Sequence, residues 1–417
     1  MKQIHFFYLS FALLYCVLFV PLIGAVDKVA VHFLALSILS VLLSIFIFFI
    51  GTDSIEKTWK KLVKEDIIKY FIILIAWAST SIIYSKNISE NIITFSEYFL
   101  YFLIIILLCL IAPNQKDKIN LNILLFFPIV SLSIEEFYLI KDFLISTDYN
   151  IFNEYPDLKG IMMNKNIASS SLAIKIPIAL YLFISQKNRL IRILLGLVVG
   201  LASFLLIIQS TRSMLLGLSL IISFSLFFGI FFKLKNPTYN LIFSIGMGIL
   251  MGSYINFNTK NNIIDRFKTI SFETEDGSVN QRIRYYKHGL NQILSNPVIG
   301  VGLGNWKIES IKYDSNDIKN YIVPYNLHND FLEIGAELGL IGMVLYIGIF
   351  YSILIFLIKS IFKEIDINKK TLFISIFLCF MVYLLDANFN FPLSRTESQI
   401  NFIFLTVLVL LIKHDKI

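Results

Sequence analysis

The sequence predicts an all-α, polytopic membrane protein, and three observations carry that reading. Apolar residues make up 57% of the 417-residue chain and charged residues only 16%, against about 25% charged in soluble globular proteins. The mean hydropathy is +0.74, and the shortage of charge runs along the whole length. Apolar windows long enough to cross a bilayer recur from end to end. The 39 phenylalanines suit helices that face lipid.

The windows fall at about 6–25, 29–51, 67–84, 94–112, 120–140 and 167–185, then at about 190–208, 213–232, 239–256, 335–358, 371–386 and 399–412. They predict about twelve transmembrane helices in a single domain, 1–417, with no soluble domain and no internal repeat. The first window is too long for a signal-peptide core and lacks a small-residue cleavage site, so it is expected to be a span.

Orientation follows from the basic residues. With Lys2 cytoplasmic, the even-numbered connections hold Lys57, Lys60, Lys61 and Lys64, then Lys116 and Lys118, then Lys187, Arg189 and Arg192. Lys233 and Lys235 follow, then Lys359, Lys363, Lys369 and Lys370, and the tail adds Lys413 and Lys416. The short odd-numbered connections hold only Lys28, Lys86, Arg212 and Arg395. This asymmetry places both termini in the cytoplasm and predicts a multi-pass membrane protein. It also accounts for the net charge of +7, so no nucleic-acid partner is expected. Cys16, Cys109 and Cys379 sit inside apolar runs and offer neither a disulfide framework nor metal-ligand spacing.

Two connections, both expected outside, are too long to be turns. One spans about 141–166 and carries Tyr149, Tyr155 and Pro156. The other is the large extracytoplasmic loop between spans nine and ten, about 257–334. It holds a helical pattern around Gln281–Leu294, with Ile283, Tyr286, Leu290 and Ile293 on one side, as in an amphipathic element lying on the membrane surface.

Three motifs carry candidate chemistry. Arg212, in Gln209-Ser210-Thr211-Arg212-Ser213, sits between two spans with almost no loop around it. A guanidinium at the membrane edge snorkels or binds an anion, and its planar fork matches phosphate oxygens. Arg282 and Arg284 lie in Arg282-Ile283-Arg284-Tyr285-Tyr286-Lys287-His288, which reads either as a solvated helix face or as an anion site. Gly300, Gly302 and Gly304 follow; they permit tight turns or close approach to a ligand, and their context excludes a dinucleotide fold. His328 stands at the mouth of the tenth span, suited to general-base work or, more blandly, to capping. His5, His32 and His414 are expected to be without partners. No cluster of metal ligands is visible. Lys175, inside the sixth span, is expected to bridge to Glu135 or Glu136.

Loop charge alone puts Arg212, Arg282, Arg284 and His328 on one side of the membrane. A base beside guanidiniums suits a phosphorylated donor and a hydroxyl nucleophile. In this order, Thr211-Arg212-Ser213, Arg282-x-x-x-Tyr286, Pro297-x-x-Gly300-x-Gly302, His328-Asn329 and Glu337-x-Gly339-x-x-Gly342 resemble the O-antigen ligase and polymerase superfamily. Asp386-Ala387-Asn388-Phe389-Asn390-Phe391-Pro392-Leu393-Ser394-Arg395 resembles it loosely, and no role is assigned there.

The resemblance implies transfer of an oligo- or polysaccharide from polyprenyl diphosphate to an acceptor hydroxyl at the outer face of the membrane. It implies an inverting reaction without metal or cofactor. Arg212 and Arg282 would bind the donor diphosphate, His328 would act on the acceptor hydroxyl, and Arg284 and Asn329 would help bind substrate. Size and the twelve-span plan favour O-antigen ligase, with lipid A-core as acceptor. A polymerase extending another lipid-linked glycan is the alternative, and protein O-glycosylation a third. From another class, a lipid-linked glycan flippase or transporter would show paired repeats and midplane charges. Membrane lipid is the expected surrounding partner; the oligomeric state is not encoded in any motif.

Overall fold

The computed structural model describes residues 2–21, 28–113, 118–146, 158–233, 235–258, 278–315 and 325–416. Lys116, Tyr149, Tyr155, Pro156 and parts of the large loop (259–277 and 316–324) lie outside the described residues. Fifteen α-helices and no strand occur among the described residues. The first ten are α1 (Lys2–Cys16), α2 (Lys28–Ile47), α3 (Thr52–Leu62), α4 (Asp66–Thr80), α5 (Ile88–Ile111), α6 (Leu121–Ser146), α7 (Lys165–Ser185), α8 (Arg189–Gln209), α9 (Arg212–Phe231) and α10 (Lys235–Asn258). The last five are α11 (Ser278–Ser295), α12 (Trp306–Asp314), α13 (Asp330–Lys363), α14 (Ile367–Phe389) and α15 (Thr396–Lys413).

Every predicted window is occupied by a helix. Ten segments are long and apolar enough to span a bilayer, and α1 and α10 occupy the other two windows. The chain is therefore a multi-pass membrane protein. Its helices sort by burial: 89% of the apolar window is buried in α7 and in α15, against 28% for the span that begins with α4 and 33% for α2. The first pair forms the centre of the bundle, and the second leaves apolar surface for lipid. The link between α2 and α4 is not a plain loop. It forms α3, whose Thr58 and Leu62 are buried beneath exposed lysines, the pattern of a helix lying along a surface.

Several polar groups sit deep in the bundle, and each expectation about them meets a definite outcome. Lys175 does bridge to the sixth helix: its Nζ lies 2.5 Å from Glu135 Oε1, 3.0 Å from Ser131 Oγ and 2.9 Å from Ser171 Oγ. The histidines expected to stand alone do not. His32 Nδ1 is 3.3 Å from Glu397 Oε1. His414 Nε2 is 3.1 Å from Glu65 Oε1, and Lys413 pairs with the same carboxylate. The hydrogen bond from His414, helped by Lys413, holds Glu65 down at about 2 against the cost of burial, which ties the chain after α15 to the turn before α4.

The element that sets the geometry of the site is a break inside α13. At Gly339 the backbone takes φ 71 and ψ −175, so residues 330–338 form a short helix at an angle to the long span that follows. A break leaves carbonyls and amides without helical partners. Here the glycine run supplies them. Val301 N–H donates to Ala336 O at 3.1 Å, Gly302 N–H to Glu337 O at 2.8 Å, and Leu340 N–H to Pro297 O at 2.8 Å. Trp77 Nε1 completes the set by donating to Leu338 O at 2.9 Å. A Cβ on Gly300 would strike the Glu337 carbonyl, and one on Gly339 would strike that of Val298. Gly300 and Gly339 thus admit backbone to backbone, while a Cβ on Gly302 would strike Ser85 Oγ and one on Gly304 Thr94 Oγ1.

Gly339→Ala is expected to destabilise the protein by on the order of 1–3 kcal/mol, because that backbone region is open essentially to glycine alone. The check is a lower thermal midpoint in detergent; an unchanged midpoint would mean the break tolerates a side chain.

Candidate active site

One end of the bundle gathers the turns before α7, α9, α13 and α15 together with α11 and α12. Arg212 is fixed there by a two-residue turn. Ser210 ends α8 in left-handed geometry, φ 47, and Thr211 precedes the first residue of α9. The turn is stapled from two sides. Asn256 Nδ2 donates to Ser210 Oγ at 3.1 Å, and Gln209 links Ser169 Oγ (3.0 Å) to the carbonyl of Leu158 (3.2 Å). Arg212 therefore opens a helix, where the macrodipole adds positive potential.

Arg282 lies in the first turns of α11, with Nη2 3.4 Å from Asn390 Oδ1. Burial first, then the like charge of Arg212, press the Arg282 guanidinium below its ordinary range, while Asp386 opposes them. Arg282 therefore lies within electrostatic range of both Arg212 and Asp386. Asp386 is itself fixed by Ser170 Oγ at 2.6 Å and Asn390 Nδ2 at 2.5 Å.

His328 takes φ 56, in the left-handed region, where a non-glycine residue is uncommon. Its backbone is anchored by its neighbours. Tyr286 OH lies 3.0 Å from His328 O and 2.8 Å from Asn388 O, sharing its single proton between the two carbonyls. The neighbouring Leu327 N–H donates to Glu333 Oε2 at 2.8 Å. The Phe391 ring meets the imidazole edge-on at 4.9 Å, and the Tyr285 ring stacks on it at 6.4 Å. Among the described residues the buried His328 Nδ1 has no hydrogen-bond partner, and packing and backbone anchoring orient this ring. Burial, then the charges of Arg282 and Arg395, lower its pKa to about 4. At neutral pH the imidazole is uncharged and able to accept a proton.

His328, Asp386, Asn390 and Arg395 line one cavity of about 60 Å³, with Asn164 and Asn166 from the turn before α7. Of the residues singled out from the sequence, His328 lines this cavity, Arg282 reaches its lining through Asn390, and Arg212 adds its charge beside Arg282. Arg284 does not join them. Two residues apart on a helix, side chains point roughly 200° apart, and Arg284 instead pairs with Asp314 of α12, Nε to Oδ1 at 2.8 Å. Asn329 is spent on the fold: it caps α13 by accepting from Leu332 N–H at 3.0 Å and leans on Asn388 at 3.4 Å. The face of α11 also differs from the expected one. Tyr285 and Ile293 are buried against Trp306, Leu327 and Ala336, whereas Leu290 and Leu294 are exposed. The stripe is offset because α12 and the chain before α13 cover the helix from one side. Asp386, Asn390 and Arg395 were within reach of sequence reasoning, in the segment of loose resemblance, but lacked a signal of spatial proximity. Among the described residues no three or more His, Cys, Asp or Glu side chains group as a metal-binding set.

The fold and the site define a multi-pass membrane protein with a polar cavity at one end, lined by His328, Asp386 and Arg395. Residues 197–347, which take in Arg212, Arg282, His328 and the break at Gly339, match the family described as O-Antigen ligase. A protein of Rickettsia conorii, provisionally named a polysaccharide ligase, is 23% identical over 310 residues, covering 73% of this chain and 70% of its own length. Proteins of the same provisional name from Rickettsia typhi and Rickettsia prowazekii are 29% and 28% identical over 133 and 131 residues, 30% of each chain. The resemblance to the O-antigen ligase superfamily carried by the motifs is borne out.

In histidine-resolved NMR of the protein in nanodiscs, His328 is expected to titrate near 4. Arg395→Gln should move the midpoint upward, as should added diphosphate, since each favours the imidazolium. A midpoint above 6 in the unliganded wild type would contradict the assigned surroundings.

Proposed function

We propose that the chain is a polysaccharide ligase-type glycosyltransferase that moves an oligo- or polysaccharide from polyprenyl diphosphate to an acceptor hydroxyl. The reading of lipid A-core as acceptor goes with it, and a polymerase using a lipid-linked glycan acceptor is the alternative within the class. The observation that carries the proposal is the placement of three separate elements at one end of the bundle: His328 lines a cavity, Arg282 bonds Asn390 of its lining, and Arg212 carries its charge beside Arg282. The matched family supports the same class.

The chemistry follows from that arrangement. The diphosphate of the donor sits against the guanidiniums of Arg212 and Arg282, which are fixed before it arrives and therefore cost little reorganisation. The acceptor oxygen attacks the anomeric carbon from the face opposite the diphosphate, the glycosidic C–O bond to phosphate breaks, and the leaving diphosphate keeps the electron pair. The acceptor proton passes to His328, and the anomeric centre inverts. The bound diphosphate stabilises the imidazolium that forms, so the base becomes stronger only when the donor is in place. No metal is assigned a part. A positioned base contributes roughly 10²–10⁴-fold.

The single-face placement favours this reading over a flippase, whose working groups belong near the midplane. Buried charges do occur deeper in the bundle, but the Lys175–Glu135 pair is bonded to each other and to the Ser131 and Ser171 hydroxyls, which suits a role in the fold.

His328→Ala and Arg212→Ala should each lower transfer at least 10²-fold in proteoliposomes supplied with donor, with membrane insertion unchanged. Arg282→Lys should be severely impaired, because an ammonium cannot reproduce the bidentate fork. Turnover retained by His328→Ala would remove the base from the mechanism. For the orientation, with both termini in the cytoplasm of the inner membrane, a cysteine at Lys312 should react with an impermeant maleimide on intact spheroplasts. One at Lys187 should react only after permeabilisation, and the reverse pattern would overturn the topology.

A further inference from the structure

A second cavity, of about 250 Å³, lies against the first, and the two share Phe391 and Arg395 as a common wall. The Arg395 guanidinium rests 4.5 Å from the centre of the Phe391 ring, so the wall is a stacked pair. On its far side stand Glu97, Glu333, Glu337, Lys307, Asn326 and Tyr98. Two of the carboxylates are preset by backbone amides. Glu333 Oε2 accepts from Leu327 N–H at 2.8 Å, and Glu337 Oε1 from Trp306 N–H at 3.0 Å. Lys307 is paired with Glu90.

The lining separates the roles of the two cavities. Three carboxyl side chains stand on the far side of the larger one, two of them already turned by backbone amides, beside Asn326 and the Tyr98 ring. Its chemistry suits a sugar: carboxylate oxygens accept from neighbouring hydroxyls, Asn326 and Lys307 donate to them, and the Tyr98 and Phe391 rings offer apolar faces to C–H groups. Its volume admits a sugar residue. Glu333 touches both sides of the matter, because the carboxylate that lines this cavity also holds the amide next to His328.

We propose that this cavity is the acceptor-sugar subsite, taking a neutral or amino sugar, and that the attacking hydroxyl reaches the anomeric carbon along the Phe391–Arg395 wall. The proposal rests on the transferase reading given above. It makes Glu97 and Asn326 specificity residues that touch the acceptor and not the donor.

The test uses the full chain in nanodiscs, a polyprenyl-diphosphate-linked glycan as donor, and the envelope glycolipid fraction of cells lacking this gene as acceptor. Glu97→Gln and Asn326→Ala should each raise the KM for the glycolipid about tenfold, the effect of one lost hydrogen bond to a charged or polar partner. Retention of radiolabelled donor should match the wild type. Should Glu97→Gln fail to fold, Asn326→Ala decides alone. An unchanged acceptor KM overturns the subsite. Parallel loss of donor retention also overturns it, since that would place the cavity on the donor side. A wild-type protein that retains donor yet conjugates nothing overturns the transferase reading, and the subsite with it.

Discussion

The break at Gly339 is the constraint on which the site depends. A continuous helix from Asp330 to Lys363 would run straight past the mouth of the bundle and carry His328 away from α14. The turn in the backbone, sealed by amides of the 297–302 loop, tips the 330–338 segment inward. Its first residue, Asp330, then accepts from Leu393 N–H at 3.0 Å, which brings the Phe391–Arg395 segment alongside. One irregular residue thus positions two walls of a cavity, and Gly300 and Gly339, which make it possible, meet protein backbone.

Electrostatics supplies the second theme. Arg282, Arg212 and Arg395 crowd one partly buried end with Asp386 as the carboxylate that faces them. Gathering like charges costs free energy, and that cost is reduced most by an anion bound among them. Burial first, and then the charges of Arg282 and Arg395, keep the imidazole of His328 neutral in the resting protein. Binding and proton transfer are therefore linked through one set of charges, without a carboxylate hydrogen-bonded to the ring.

Much of this was legible in the sequence, and the gaps have physical causes. Spans were readable because lipid imposes a length and an apolar composition that need no knowledge of neighbours. Arg212, Arg282 and His328 could be grouped because alternating loop charge assigns residues to a face. Lateral position within that face is not encoded this way, so Arg395, Asp386 and Asn390 could not be joined to the group. Arg284 illustrates helix phase: a basic cluster two residues wide reads as one patch in sequence but splits between two partners in space. The glycine run shows that a permissive backbone reveals nothing about which surface will approach it.

The Lys175–Glu135 bridge has a consequence for how the protein is made. An isolated α7 would enter the bilayer with a cation at its interior, at a cost of about 2.5–3.5 kcal/mol, and with Pro177 interrupting its own hydrogen bonding. Glu135 on α6 carries the neutralising charge and Ser131 an additional hydroxyl. Entry of α6 and α7 as a hairpin would therefore pair the cation before it meets lipid and remove that cost.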